Sequence, residues 1–171
     1  MTQTTGGFSS AQLADQDAAV ELTSFGADDA LDLGLLATAK ARARSMPVAI
    51  EVWRGARLAY RVALPGSTSD NDAWLERKFR VSRRFELSTM AVRVLYEEQG
   101  RTFNEATLLP IEEFAAHGGS VPIRVRGTGM VGLFGVSGLP QVQDHDFLVE
   151  ILSEFKAAQD DTSPDDRTRG A

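Results

Sequence analysis

Two runs of alternating residues around one glycine restrict this chain to folds that contain an antiparallel sheet. Apolar residues alternate with others over residues 48–53, and residues 58–64 repeat the alternation. The link between the runs places Gly55 where a two-residue type II′ hairpin requires positive φ. The two runs are therefore predicted to pair as a β-hairpin, and a parallel doubly wound sheet is disfavoured.

A second hairpin is predicted in a glycine-dense stretch between the only two histidines of the chain, His117 and His145. Residues 120–126 and 129–136 have the character of short strands, and residues 127–128, Gly-Thr, form the turn that joins them. This block supplies both imidazoles of the chain. It is therefore where a functional site is sought.

Reflection about that turn fixes which residues lie opposite each other. It places Ser120 opposite Gly135 and brings His117 near Gly138. The last predicted helix begins at the same end of the hairpin. His145 is therefore expected to lie close to His117, as a hypothesis that depends on the register.

Helices are predicted around the two hairpins from apolar periodicity and from capping residues. Their expected ranges are residues 11–20, 27–45, 72–85, 88–99, 110–117 and 144–157. Residues 88–99 also alternate like a strand, and the helix is the preferred alternative. In the second helix, Leu31, Leu35 and Ala39 are predicted to form the buried stripe.

The short helix that follows Pro110 is expected to end at His117, with Gly118 as the residue after its C-terminus. His117 would then be biased towards the charged form by the helix dipole, and His145, at a helix N-terminus, towards the neutral form. In the alternative interpretation, both histidines only cap their helices.

Length and composition bound the number of domains. A chain of 171 residues with 43% hydrophobic content suffices for one core. Residues 11–158 are predicted as a single domain, with residues 1–10 and 159–171 as disordered polar tails.

The composition also excludes several classes of function. The absence of cysteine excludes disulfides and thiolate metal sites. No apolar run approaches the roughly 18 to 20 residues of a membrane span, and no signal peptide is recognised, so a cytoplasmic protein without membrane contact is expected. The net charge of −6 opposes nucleic-acid binding.

Two catalytic motifs are nearly matched in the glycine-dense block. Residues 127–132 follow the dinucleotide fingerprint G-x-G-x-x-G, but a strand rather than a helix is predicted to follow them, so the match is interpreted as accidental. Residues 135–139 lack the final glycine of a nucleophile elbow, and Ser137 is a weak candidate for a nucleophile.

A metal site is the third interpretation of the block. His117 and His145, together with Asp144 or Asp146, have the ligand chemistry of a zinc or iron site. The two histidines lack the local spacing of a helical metal motif. The hypothesis therefore depends on the fold bringing them together.

A basic stripe is predicted on the helix at residues 72–85. Arg77, Arg80 and Arg84 follow helical spacing and would suit the carboxylate or phosphate groups of a ligand, while Trp74 could offer a stacking face. The alternative is a solvated helix face, which is the commoner role of such a charge pattern.

Five stretches of the chain together resemble an uncharacterised family related to the GlcG/HbpS and PduO C-terminal domains, often described as haem-degrading. They are Asp-Asn-Asp-Ala-Trp at residues 70–74, Glu-Arg-Lys at 76–78, Ala-His-Gly-Gly-Ser at 116–120, Val-Ser-Gly-Leu-Pro at 136–140 and Asp-His at 144–145. The resemblance covers about residues 25–155. It implies a profilin-like α/β fold of the α+β type, in which helices pack on an antiparallel sheet of two β-hairpins, and assembly into a homo-oligomer.

For function, the resemblance implies a protein that binds haem or another tetrapyrrole, with degradation of haem as an unproven activity. The family shares no single axial ligand, so His117 and His145 are candidates on chemical grounds, and Arg77, Arg80 and Arg84 are candidates for the propionates. The alternative is a non-catalytic homo-oligomeric scaffold or adaptor in which both histidines are structural.

Overall fold

A four-stranded antiparallel sheet organises the computed structural model, which describes residues 5–161. Its strands are β1 (Ala49–Arg54), β2 (Arg57–Ala63), β3 (Ser120–Val125) and β4 (Gly129–Ser137), and they lie in the order β2-β1-β4-β3. The prediction of an antiparallel sheet built from two hairpins is therefore confirmed.

Each hairpin turns at a glycine and contains one register shift, between Val52 and Trp53 in β1 and between Ile123 and Arg124 in β3. Gly55 has φ +58° between β1 and β2, and Gly127 has φ +74° between β3 and β4, where residues other than glycine are strained. Ser120 pairs with Gly135, as reflection about the second turn predicted.

Six helices surround the sheet within residues 5–161. They are α1 (Ser10–Ala19), α2 (Ala27–Ala43), α3 (Ser69–Phe85), α4 (Thr89–Glu98), α5 (Phe103–Thr107) and α6 (Gln141–Asp161). None of these helices combines the length and the apolar character needed to cross a membrane.

The helices form layers on both faces of the sheet. Helices α2 and α6 cover one face, where Leu33, Ile50, Phe134 and Ile151 belong to the largest apolar cluster. Helix α3 covers the other face. There its apolar residues Leu75 and Phe79 pack against strand residues Ala49 and Leu133.

The predicted buried stripe of α2 is wrong. Leu31 and Leu35 are 46% and 50% exposed, whereas small residues of the same helix, such as Gly34 and Ala37, are buried. The reason is close packing on the sheet, since a Cβ atom on Gly34 would lie 2.2 Å from Cγ of Tyr60. The leucines therefore point away from the core.

The predicted helix at residues 110–117 is also wrong. After a single turn at residues 111–113 the chain leaves helical geometry. The next helical hydrogen bond would join the amide of Ala115 to the carbonyl of Ile111, and Arg77 binds both of these groups instead. Its Nη2 donates to the carbonyl of Ile111 at 2.6 Å, and its own carbonyl accepts from Ala115 N at 3.2 Å. His117 therefore does not lie at a helix C-terminus.

A helix that sequence periodicity missed, α5, precedes this segment. Thr102 and Glu105 form a capping box at its start, in which Thr102 N donates to Glu105 Oε2 at 2.9 Å. Five residues are too few to show an apolar period.

The amino-terminal residues from 5 to 10 pack on the domain, although they were predicted as part of a disordered tail. Thr5 is buried, and the ring of Phe8 contacts His145. The reason is the apolar ring of Phe8, which packs against the buried cluster that includes Leu13 and Met90. At the other end, α6 continues to Asp161, and the rest of the predicted tails lies outside the described residues.

Candidate functional site

One cavity of about 260 Å³ is lined by residues from all five stretches that carry the family resemblance. The lining residues are Asp70, Asn71, Trp74, Lys78, His117, Ser137, Gly138, Leu139 and Asp144. The stretches come from three separated regions of the sequence, which are α3, the segment that leads into β3, and the end of β4 with the start of α6. Their convergence identifies this cavity as the candidate functional site.

A larger cavity of about 480 Å³ lies on the other side of Leu139. The exposed ion pair between Arg44 and Glu150 forms part of its lining. Leu139 is its only contribution from the five stretches. We therefore place the site in the smaller cavity, where the chemical groups are concentrated.

Helix α3 supplies one wall of the cavity because its residues recur with the helical period. Trp74 and Lys78 are one turn apart and both face the cavity. At the start of the helix, Asn71 Oδ1 accepts from Thr68 N at 2.8 Å and so caps α3. Asn71 is thereby fixed beside Asp70 at the rim.

A buried ion pair between Lys78 and Asp144 forms the floor of the cavity. Lys78 Nζ lies 3.0 Å from Asp144 Oδ2 and donates to the carbonyl of Val136 at 3.2 Å. Both side chains are less than 5% exposed. Burial lowers the pKa of Lys78 and raises the pKa of Asp144, because desolvation penalises both charged forms, and their mutual attraction opposes this.

Two glycines allow the chain to pass beside this ion pair. A Cβ atom on Gly118 would lie 2.1 Å from the carbonyl oxygen of Gln141. A Cβ atom on Gly119, which has φ +124°, would lie 2.4 Å from Lys78 Nζ. The Gly-Gly pair of the 116–120 stretch is therefore required by close packing at the cavity floor.

His117 forms part of the wall and is held against Trp74. Their rings are 5.2 Å apart in an edge-to-face arrangement, and the guanidinium of Arg77 lies 4.3 Å from the centre of the indole on Trp74. Burial lowers the pKa of His117 to about 4, with smaller contributions from three neighbouring cations, Arg93, Lys78 and Arg77. The imidazole is therefore neutral at pH 7.

One ring nitrogen of His117 has no protein partner. Its Nδ1 atom is buried and has no hydrogen-bond partner within residues 5–161. A neutral imidazole has one unprotonated nitrogen, which can bind a metal or accept from a ligand donor.

The structure does not bring His145 into the cavity. His145 is fully buried, its Nε2 hydrogen-bonds to Gln16 Oε1 at 3.0 Å, and its ring meets Phe8 at 5.6 Å. Burial alone lowers its pKa to about 4. His117 does lie beside Gly138 in the cavity lining, as the hairpin geometry predicted, but the expected pocket with both histidines is not formed.

Of the other two proposed metal ligands, Asp144 lines the same cavity as His117, whereas Asp146 does not. Asp144 pairs with Lys78, and Asp146 lines the larger cavity instead. Across the described part of the chain, no group of three or more His, Asp or Glu side chains is arranged to hold a metal ion.

The three arginines of the predicted stripe have different environments. Arg77 is held by the Ile111 carbonyl and by Trp74, next to the cavity. Arg80 and Arg84 line a separate depression of about 220 Å³ with Arg83 and Phe114. The stripe therefore divides into one positioned arginine and a small basic patch further along α3.

The two near-matches to catalytic motifs have different outcomes. Residues 127–132 form a hairpin turn and the start of β4, so the structure lacks the helix N-terminus that a dinucleotide site needs. Ser137 lies in the cavity lining, but no hydrogen bond joins it to His117 in the described residues. A serine nucleophile activated by histidine is thus not assembled.

Sequence reasoning missed the role of Lys78, Asp70 and Asn71. The sequence alone named none of the three as a candidate site residue, because a lysine on a helix and polar residues at a helix start have common structural roles. The signal that could have found them was present in the chain, because each of them belongs to one of the five stretches that carry the resemblance. Considering these stretches as one surface would have identified the cavity.

Comparison with known proteins agrees with this geometry. Residues 25–153 match the family described as "Haem degrading protein HbpS-like". A UPF0303 protein of Streptomyces avermitilis is 45% identical over 84% of this chain and 88% of its own length, and one of Streptomyces coelicolor is 44% identical over 85% and 92%.

Solved structures share the fold. The crystal structure of the Ybr137w protein matches with a TM-score of 0.80 and 28% identity, over 89% of this chain and 90% of that one. A structure described as a PduOC:haem complex matches with a TM-score of 0.63 and 16% identity, over 77% and 94% of the two chains. At that identity the second likeness supports the fold alone.

Proposed function

Since this chain belongs to the HbpS-like haem-degrading family, we propose that it binds haem or a related tetrapyrrole, with His117 as the iron ligand. The observation that carries the proposal is the neutral imidazole of His117 in the cavity that the five family stretches line. The family model that matches residues 25–153 is described as haem-degrading, which supports the ligand class.

The groups around His117 fit a flat aromatic ligand. A haem iron takes a neutral imidazole as its proximal ligand, and the half-buried Trp74 ring offers an apolar surface beside it. The cavity, at about 260 Å³, is smaller than the roughly 300 to 1,000 Å³ of pockets that enclose a drug-sized ligand. Most of the macrocycle would therefore lie at the open side of the cavity.

The basic patch of α3 is our candidate for the propionates. Arg80 and Arg84 are exposed, and a guanidinium binds a carboxylate through two parallel hydrogen bonds. Arg77 and Arg80 each donate to a backbone carbonyl, that of Ile111 and that of Glu113, and Arg77 also supports Trp74. A bound haem would supply redox-active iron, and these residues of the chain would bind and orient it.

Hemin titration with two histidine variants tests the proposal. We expect the wild type to saturate at a fixed stoichiometry with a shifted Soret band, and His117→Ala to lose that band. His145→Gln is the matched control, because His145 lies outside the cavity. If His117→Ala gives the wild-type spectrum at the same stoichiometry, the assignment of the ligand is wrong.

Two exposed leucines on α2 favour a second candidate function, that of a homo-oligomeric scaffold. Leu31 and Leu35 lie one turn apart and are about half exposed. Beside them, β2 is an edge strand of the sheet. Light scattering tests this, since Leu35→Glu would lower the mass in solution if α2 joins two copies of the chain. An unchanged mass would exclude this surface as the contact.

A further inference from the structure

We propose that Lys78 forms an imine with a small aldehyde or ketone that enters the cavity, with Asp144 as the group that moves the protons. This reaction does not depend on haem. It goes beyond the binding function proposed above, because it assigns a covalent role to a side chain that the haem site does not use.

The first support is the position of the amine. Lys78 borders the cavity, and two of the three N–H groups of its ammonium have protein acceptors, Asp144 Oδ2 and the carbonyl of Val136. A lysine that served only as a surface charge would stay solvated, but this side chain is 4% exposed. The glycine at 119 gives the amine room that no other residue would leave.

The second support is the pairing with a carboxylate in a buried environment. Burial shifts the pKa of Lys78 downwards and the pKa of Asp144 upwards, so both shifts favour the neutral amine and the carboxylic acid. The neutral amine is the nucleophile in imine formation. A proton needs to move only along the 3.0 Å contact between Nζ and Oδ2.

The reaction balances without any further reagent. The ammonium of Lys78 gives a proton to Asp144, and the free amine attacks the carbonyl carbon, whose π electrons move to oxygen. The oxygen takes the proton from Asp144, and the new C–N⁺ centre returns one to it. Asp144 then protonates the hydroxyl group, which leaves as water. The product is an iminium ion whose positive charge remains paired with the carboxylate.

The remaining walls indicate the size and polarity of the carbonyl compound. The volume of about 260 Å³ suits a small molecule, and Trp74 offers it an apolar surface. Ser137 and Asn71 carry a hydroxyl and an amide that can bind an oxygen atom of the substrate. We therefore expect a short aldehyde or 2-oxo acid rather than a large aromatic one.

Reductive trapping tests this proposal directly, because the chain has only three lysines, Lys40, Lys78 and Lys156. The haem-free protein is incubated at pH 7 with acetaldehyde or pyruvate and sodium cyanoborohydride, and the modified peptides are mapped by mass spectrometry. We expect Lys78 to be modified at least about tenfold faster than the other two, because an ordinary lysine with a pKa of about 10.4 is almost fully protonated at pH 7.

Lys40 and Lys156 are internal controls in the same sample. Lys40 is about one-third exposed in an ion pair with Glu154, and Lys156 donates to a backbone carbonyl. Replacing both with arginine leaves Lys78 as the only lysine, so peptide mapping of that variant should still find its adduct. Asp144→Asn should slow the modification of Lys78, with circular dichroism showing whether the variant is folded.

The proposal is overturned if wild-type Lys78 stays unmodified while Lys40 and Lys156 react, or if Lys78 reacts only in denaturant. This result comes from the wild type and does not depend on the folding of any variant. It is also separate from haem binding. A failed hemin titration leaves the imine proposal standing, and an unmodified Lys78 leaves the haem proposal standing.

Discussion

The two histidines have almost the same pKa and entirely different surroundings. Burial lowers both values to about 4. His117 lies in a cavity wall between Trp74 and cationic neighbours, whereas His145 is sealed beneath Phe8 and hydrogen-bonds to Gln16. A shifted pKa therefore does not identify a functional histidine by itself. The difference lies in what each imidazole can reach.

The start of α6 contributes side chains to two different parts of the molecule. Asp144 and His145 are adjacent, yet the first faces the cavity and the second packs under α1. Successive helical residues point in directions about 100° apart. One turn of helix thus serves the candidate site and the core.

The largest expected loss of stability comes from breaking the buried ion pair at the floor of the cavity. Lys78→Met leaves Asp144 buried without its cation, which typically costs about 3 to 5 kcal/mol. Urea unfolding would measure the loss. Lys40→Met removes an exposed ion pair with Glu154, and should cost less than about 1 kcal/mol. Equal losses in the two variants would show that the buried ion pair contributes no more stability than the exposed one.

The sealed histidine should contribute strongly to the loss of stability in acid, and His117, whose pKa is lowered to the same value, adds a loss of the same sign. The pKa of His145 is about 4 in the folded protein and about 6.5 in the unfolded chain, so the unfolded chain binds the proton first. The resulting stability is complete above pH 6.5 and is lost as the pH falls towards 4. We expect about 3 kcal/mol from this residue.

Urea midpoints at pH 7 and pH 4 would check this, with His145→Gln as the comparison. Asp17 titrates in the same window with the opposite sign, because burial raises its pKa to about 6. It is present in both proteins, so its contribution cancels in the difference. A variant with the same pH dependence as the wild type would contradict the assignment.

Removing the ring that covers His145 should make the surroundings of the two histidines more alike. Phe8→Ala removes the ring that covers His145, and we expect a loss of about 1 to 2 kcal/mol together with a rise in the pKa of His145. Unfolding and NMR titration measure the two effects. Leu108→Ala, at a side chain that is 86% exposed, is the control and should change stability by less than about 0.5 kcal/mol.

The smallest expected effect is a change in the pKa of His117 that His145 does not share. Arg77→Gln removes one of the cations that lower the pKa of His117, so that value should rise by less than about one unit. The pKa of His145 is lowered by burial alone and should not move. NMR titration of both imidazoles in one sample would show whether the shifts are separate.

The sheet was predictable because its signals are local. Alternation over a few residues and a glycine at each turn define both hairpins, whereas the register shift that each hairpin contains near its turn has no such local signal. The helix predicted at 110–117 failed for a non-local reason, since Arg77, 34 residues before Ile111, takes the hydrogen bond that would have continued it. Periodicity carries no information about such competition.

The candidate site was predictable in part. His117 and its position beside Gly138 follow from the hairpin, and the five stretches contain every lining residue of the cavity. The burial of Lys78 did not follow, because its partner Asp144 is 66 residues away, and an isolated lysine is normally exposed. The prediction for α2 was wrong in the opposite direction. Leu31 and Leu35 were expected to be buried and are exposed, because Gly34 and Ala37 occupy the buried face.

The contact between Gly119 and Lys78 has a consequence for how such chains can change over time. A methyl group at 119 would occupy the space of the amine, so the two positions are not free to vary separately. We expect chains that lose the glycine also to shorten the residue at 78. Linked variation at these positions would therefore show which related chains retain a buried amine and which have lost it.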